Sequence, residues 1–430
     1  MEQADIIIIG AGAAGLMAAN ELSKNGKSVL VIEGRDRTGG RIDTRPLHGF
    51  SHLVETGAEF IHGSLPLTLQ LLEAANLQHT STGGEVYRMT NGKLEQQDAF
   101  MDGSDRLMAA FNRLDHDIPV SEFLNNYLSG EENSQLRHGI TQFAQGYDAA
   151  DITKASTLAL ASEFNDQEQE QYRVCGGYSR LVQYLETACR HHGCSFSLNE
   201  QVVKIKWQPG SVEITTASGS RYKAPQIVIT VPIGILTNSS EGSSIRFSPA
   251  IPEKIAAAKK IGYGAVIKFS LAFNTCFWQD KVEEPWFIFS DAKIPTWWTQ
   301  APEAANSLTG WLTGPPCNEF AHAKDEELLK AALISLAKIF DLPVEQLFTN
   351  LGAHVITNWA IDPFSLGAYT YAAVGDAEAR EILREPVQST LYFAGEGVIN
   401  GKDKGTVEAA LRSGLDVSRL ILKRKTQSDT

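Results

Sequence analysis

The sequence predicts an α/β fold, arranged as an α+β two-domain protein in which a Rossmann-like nucleotide-binding domain is interleaved with a domain of mixed sheet plus helices. Three observations predict it. Four isoleucines, Ile6–Ile9, run into Gly10-Ala11-Gly12-Ala13-Ala14-Gly15, then an apolar helix over 16–22 and a second apolar strand over 28–32 that closes on Glu33. That order is a βαβ unit with a dinucleotide fingerprint. The chain, at 430 residues, is too long for one small core. Strand-like runs also return near 202–231 and 391–396, far from the first unit.

In the fingerprint, Gly10 allows the tight strand-to-helix turn and Gly12 lets a pyrophosphate approach the helix N-terminus. Ala14 sits in the same turn, and Gly15 lets helix and strand pack closely. Glu33 stands where a carboxylate can accept both hydroxyls of an adenosine ribose. Immediately downstream, Gly39 and Gly40 lie between Arg35 and Arg41. Nicotinamide-binding folds do not need this extension. A cofactor with a second half across the same sheet does, because backbone must pass close to it and a guanidinium can partner its phosphates.

With the next segment, Glu55-Thr56-Gly57-Ala58-Glu59-Phe60-Ile61-His62-Gly63, the sequence resembles the flavin amine oxidase family, and within it the polyamine oxidase branch. The resemblance implies FAD as cofactor, with Gly57, Ala58 and Glu59 running under the flavin and His62 bordering the substrate channel. It runs through nearly the whole chain.

Further along, a helix is expected over 66–75, a hairpin over 85–89 and 93–95 around Asn91-Gly92, and a helical insertion over 102–164. Tyr178, Leu181, Val182, Leu185 and Cys189 mark the core face of a helix stopped at Gly193. Strands at 202–207, 212–216, 220–224 and 226–231 read as a return to the first sheet. There, Val203 takes the place of the family residue whose backbone holds the adenine. After a connecting helix at 249–260, the strand 265–273 begins a second sheet, and its period of two puts Lys268 on a polar face. The resemblance makes Lys268 the active-site lysine that holds a water against flavin N5. Trp297, Trp298 and Trp311 suit either a substrate cavity or ordinary core.

A helix at 325–340 ends before Pro343, and the stretch from Trp359 to Tyr369 crosses back to the flavin in the resembled family, with Tyr369 beside its ring. Ala368 stands where monoamine oxidases carry the flavin-linking cysteine, which implies noncovalent FAD. The strand 391–393 leads to Glu396, resembling the family's contact to ribityl and phosphate oxygens. Thr406 and Val407 start the last long helix, whose N-terminal partial charge faces the flavin. The tail from Lys423 reads as polar and frayed. On this reading the FAD domain comprises 1–85, 195–245 and 385–430, and the substrate domain 86–194 and 246–384.

With 51 acidic against 38 basic residues the net charge is −13, which argues against nucleic acid as partner and suits cationic ligands. Five cysteines without CxxC spacing suggest neither a disulfide framework nor a zinc site, and no metal is expected. The fold begins at about residue 4 and no apolar run reaches membrane-spanning length, so a cytoplasmic protein without membrane contact is expected. Oligomeric state is left open.

The resemblance implies oxidation of an amine by hydride transfer to flavin N5, giving an imine and then an aldehyde, with O2 reduced to H2O2. Lys268, Tyr369, His62 and Thr406 carry the catalytic roles. A polyamine or other primary or secondary amine is the expected substrate. Thr406 replaces the second aromatic of the monoamine oxidase cage, 58–62 holds no arginine for a carboxylate, and acids such as Asp166, Glu168 or Glu170 suit distal ammonium groups. A desaturase or porphyrinogen-type oxidase, an L-amino acid or monoamine oxidase, and a flavin-binding protein without turnover are the alternatives.

Overall fold

The structure is a computed structural model that describes residues 2–90, 92–97, 103–165, 170–240 and 244–428. Its first sheet is parallel throughout, in the order Ser195–Ser197, Val29–Ile32, Ile6–Ile9, Gln226–Ile229, Leu391–Phe393. Apart from the edge strand Ser195–Ser197, apolar runs form it because both faces are covered. Ile6, Ile8, Val29 and Val31 pack against the helices Ala13–Lys24 and Val407–Ser428, while Ile7, Ile9, Leu30 and Ile32 face a second sheet. Gly15 makes the first turn possible, since a Cβ there would stand 2.0 Å from the Gly10 carbonyl oxygen.

That second sheet corrects the sequence reading. Of the four strands expected to rejoin the nucleotide sheet, only Gln226–Ile229 does so. Val202–Gln208, Ser211–Thr216 and Arg221–Ala224 form an antiparallel meander of their own, flanked by Glu2–Gln3 and Arg246–Ser248. The physical reason lies in burial. Val202–Gln208 alternates between buried and open positions, as a sheet covered on one side does, whereas Gln226–Ile229 is apolar on both sides.

The other large sheet has seven strands, in the order Leu351–Asn358, Val266–Phe273, Ser307–Thr313, Thr296–Trp298, Pro285–Phe289, Glu85–Thr90, Lys93–Gln96. The expected hairpin supplies its last two strands, with Asn91 outside the described residues. The helix Asp325–Phe340 seals one face with Leu328, Leu333, Leu336 and Phe340. The opposite face carries Lys268, Trp298 and Trp311, and looks onto a cavity. Val266–Phe273 is buried along its whole length, so the polar face predicted for Lys268 is no solvated surface.

Four helices, Ser104–Phe111, Val120–Tyr127, Ser134–Gly146 and Thr157–Asn165, make a separate apolar core, and the last two of them wall one flank of the cavity. Asp102, named as the start of this insertion, lies outside the described residues. A small antiparallel sheet of Phe60–His62, Gln171–Val174 and His79–Ser81, not foreseen in the sequence, closes the other flank. The last helix continues through Ser428, past the position where a frayed tail was expected. Among the described residues no helix is long and apolar enough to cross a membrane.

Candidate active site

One cavity of about 1180 Å³ joins the nucleotide sheet to the seven-stranded sheet. Its inner end is lined by Gly10, Gly12, Ala14, Glu33, Gly39 and Gly40. The Glu33 carboxylate is fixed by two backbone donors, Ala11 N–H at 2.7 Å on Oε2 and Arg35 N–H at 2.8 Å on Oε1. Each oxygen keeps acceptor capacity for a ribose. A Cβ at Gly12 would meet nothing nearer than the Gly39 carbonyl oxygen at 4.0 Å, and at Gly395 nothing within 4 Å, so both glycines leave open space beside the wall. A phosphate-bearing dinucleotide fits this cradle.

The remaining predicted cofactor residues fall into two groups. Arg35, Arg41, Gly57, Ala58, Glu59, Trp359, Glu396, Thr406 and Val407 all line the cavity. Gly15 and Val203 do not. Gly15 serves the packing described above. Val203 sits in an irregularity of the strand pairing between Val202 and Lys204, and Gln201 and Val202 reach the cavity instead. Arg35 is held by Asp362, and Arg41 pairs with Glu396 at 2.9 Å and reaches the Ala368 carbonyl. Glu396 also accepts from Thr370 Oγ1 and N–H. Trp359 donates to the Thr56 carbonyl at 3.0 Å, and Thr406 caps the last helix by accepting from Ala409 N–H at 3.2 Å.

In the middle of the cavity Lys268 is only 2 % exposed. Its ammonium donates to Glu59 Oε2 at 2.7 Å and to the Gly57 carbonyl at 3.2 Å. Glu59 Oε1 accepts from Arg173 Nε at 2.9 Å and Trp298 Nε1 at 3.1 Å. Burial would push the Glu59 carboxyl up, but the Lys268 and Arg173 charges outweigh it and hold it down to about 2. The indoles of Trp298 and Trp311 face the same ammonium, at 5.5 and 5.9 Å from their ring centroids. Trp298 and Trp311 thus belong to the cavity wall, and Trp297 to the core behind it.

Toward the outer part, Tyr369 donates to the Tyr147 carbonyl at 2.7 Å, and the Tyr147 hydroxyl lies 3.4 Å from His62 Nδ1. Burial pushes the His62 imidazole down to about 4, so it is neutral near pH 7. Beside Tyr147, Asp148 and Glu163 stand together in the wall. Burial raises both carboxyls, the Glu163 charge raises Asp148 further, and Lys404 partly offsets the shift. Glu163 Oε2 is buried with no hydrogen-bond partner among the described residues.

Sequence reasoning missed Arg173, Tyr147, Asp148 and Glu163. The acids it favoured do not take their place. Asp166 and Glu168 lie outside the described residues, and Glu170 is exposed and accepts from the Tyr172 hydroxyl. Among the described residues no group of three or more His, Cys, Asp or Glu is placed to hold a metal ion. No cysteine lines the cavity.

Residues 13–422 match the family described as flavin containing amine oxidoreductase. The chain is 28% identical to Polyamine oxidase 4 of Oryza sativa subsp. japonica, over 97% of this chain and 88% of that protein. It is 27% identical to Lysine-specific histone demethylase 1 homolog 3 of Arabidopsis thaliana over 96% of this chain, but spans only 30% of that protein. Among solved structures, wild-type putrescine oxidase bound to putrescine superposes with a TM-score of 0.80 over 98% of this chain and 99% of that one, at 20% identity. That last likeness is one of fold.

Proposed function

The chain belongs to the flavin containing amine oxidoreductase family, and we propose that within it the protein oxidises a di- or polyamine, with FAD bound noncovalently. The observation that carries the substrate class is the Asp148–Glu163 pair: two half-buried carboxyls set together in the cavity wall, one with a buried oxygen that no donor among the described residues reaches. A buried acceptor without a partner is costly, by about 1–3 kcal/mol. A distal ammonium of a flexible amine satisfies it, while an apolar monoamine does not.

When bound, the flavin supplies the hydride acceptor at the amine carbon and hands the electrons to O2, giving H2O2. Lys268 presents a fixed ammonium donor at the centre of the cavity, where it orients a water. Trp298 and Trp311 exclude bulk solvent around it, and Tyr369, tied to the Tyr147 carbonyl, shapes the face along which the amine carbon approaches. His62, neutral at working pH, accepts a hydrogen bond from an incoming amine and does not hold a proton there. Glu33 holds the ribose, and the backbone about Gly12 and Gly395 makes room for the phosphates.

Noncovalent attachment follows from Ala368 in the wall and from the absence of any cysteine lining the cavity. Acid precipitation should release all the yellow colour into the supernatant. We place the reaction in the cytoplasm, whose reducing conditions suit five free cysteines.

A panel read by H2O2 tests the substrate: spermine, spermidine, an N-acetylated polyamine, putrescine, benzylamine, L-amino acids and a peptide carrying N-methyl-lysine. A polyamine should lead in kcat/KM. If benzylamine or an amino acid leads, the family assignment stands and the polyamine reading falls. The methylated peptide is included because some relatives are named as histone demethylases, and its lead would move the substrate class there.

A further inference from the structure

We propose that Glu59 is a positioning residue for the oxidation, acting through Lys268 as its fixed counter-ion and not as a ligand of the cofactor. Both carboxylate oxygens are committed to side chains, Oε2 to Lys268 and Oε1 to Arg173 and Trp298. The four groups come from residues 59, 173, 268 and 298, on four separate strands or strand leads, so the arrangement forms only when the small antiparallel sheet is packed against the seven-stranded one. Lysine is a flexible point charge on a four-carbon stem, and a single charged partner at 2.7 Å fixes where that charge lies. Trp298 strengthens the arrangement because its N–H holds Glu59 while its ring faces the ammonium. Arg173 is independently anchored on the carbonyls of Thr299 and Ala301, so Glu59 is held from behind.

Glu55 and His52 are also ionisable and lie within electrostatic reach of Glu59. Burial raises the Glu55 carboxyl to about 7, and its two oxygens accept from Tyr178 N–H and Thr44 Oγ1. It is therefore a poor substitute counter-ion at neutral pH. His52 is pushed down by burial and brings no charge there.

The test is a double-mutant cycle in the holoenzyme with Glu59→Gln, Lys268→Met and both together. The proposal rests on the oxidation being catalysed here, and kcat is followed with the best amine of the panel. Glu59→Gln should lower kcat at least about tenfold at unchanged KM, and in the Lys268→Met background should cost less than about twofold more. FAD affinity and the visible spectrum of the bound flavin should stay as in wild type. A multiplicative loss in the double variant, or an FAD affinity weakened about tenfold with kcat restored at saturating FAD, overturns the proposal and returns Glu59 to the cofactor.

Thermal stability supplies an arm that does not depend on turnover. Glu59→Gln strands a buried ammonium, so its Tm should fall below that of the double variant, which removes both charges. A double variant no more stable than Glu59→Gln overturns the pairing even if the single variant is too unstable to assay. Should wild type oxidise no amine at all, the functional reading fails, and the Tm cycle alone judges whether Glu59 holds Lys268.

Discussion

At the nucleotide end of the cavity the wall is largely backbone: the turn from Gly10 to Ala14, with Glu33 fixed by two neighbouring N–H groups and Gly39, Gly40 and Gly395 alongside. At the reaction end the wall is charged side chains gathered across the sequence, with Glu59 tied to Lys268 209 residues away. The first end is rigid because its backbone is hydrogen-bonded into the sheet and helix, as Gly10 N–H is to the Ile32 carbonyl and Gly39 N–H to the Ala11 carbonyl. The second is rigid only while every ionic partner is present. The difference teaches where each end is vulnerable: steric intrusion at one, loss or addition of a single charge at the other.

The steric case has the largest expected effect. A Cβ at Gly15 would stand 2.0 Å from the Gly10 carbonyl oxygen, a backbone atom with no room to yield. Gly15→Val should cost about 3 kcal/mol or more, read as a depressed Tm together with lost FAD content. A stable variant that keeps its yellow colour would break the contrast between the two ends.

Next comes a charge behind the reaction end. Glu55 is raised in the folded chain to about 7 from an ordinary 4.5. Its contribution to stability is therefore intact below about pH 4.5 and lost as pH rises through 7, a change of at most about 3 kcal/mol. Unfolding of wild type should become easier from pH 5 to 8, and Glu55→Gln should flatten that slope. An unchanged slope would show that solvent reaches this carboxyl.

Lys268→Met should slow amine-dependent turnover at least about tenfold, roughly 1.4 kcal/mol of barrier, with FAD content preserved. Stopped-flow traces of both half-reactions check it, and unchanged rates in both would remove Lys268 from the chemistry. Stability should also drop, because Glu59 loses one partner while Arg173 and Trp298 remain.

The smallest effect expected is a selective one. Asp148→Asn should raise KM for putrescine by roughly three- to tenfold and leave benzylamine unchanged, since one exposed or half-screened charge contact is worth about 1 kcal/mol. Because both carboxyls of the pair are raised, their charge appears only as pH climbs, so the preference for putrescine over benzylamine should grow with pH. Equal effects on both amines would detach the pair from substrate choice.

How much was legible follows the same division. The fingerprint, the apolar strands and Glu33 are patterns within about thirty residues, and they appear in the structure where periodicity put them. The place of Lys268 in the cavity was legible through its surrounding residues and the family they resemble, while the alternation of its strand alone left a solvated face and a lined one equally open. A strand central in a sheet with a cavity on one side buries both faces, and no local pattern distinguishes a solvated face from a lined one. The strands at 202–224 were seen as strands and assigned to the wrong sheet, because pairing partners are set by burial over long range. Asp148 and Glu163 were invisible for the same reason: each is a single acid near a helix end, and only the packing of the helices Ser134–Gly146 and Thr157–Asn165 brings them together.

The strand order of the nucleotide sheet also sets a timetable for biosynthesis. Gln226–Ile229 keeps one edge unpaired until Leu391–Phe393 has been synthesised, and the helix Val407–Ser428 that covers the outer face comes later still. A ribosome adding about 5–20 residues per second leaves that apolar edge waiting for roughly ten to thirty seconds. The nascent chain carries its complete phosphate-binding turn early, but the wall formed by Gly395 and Glu396 arrives only after the last strand of the sheet. Cofactor capture is thereby deferred until that wall has been made, and chaperone demand should concentrate in the interval before it.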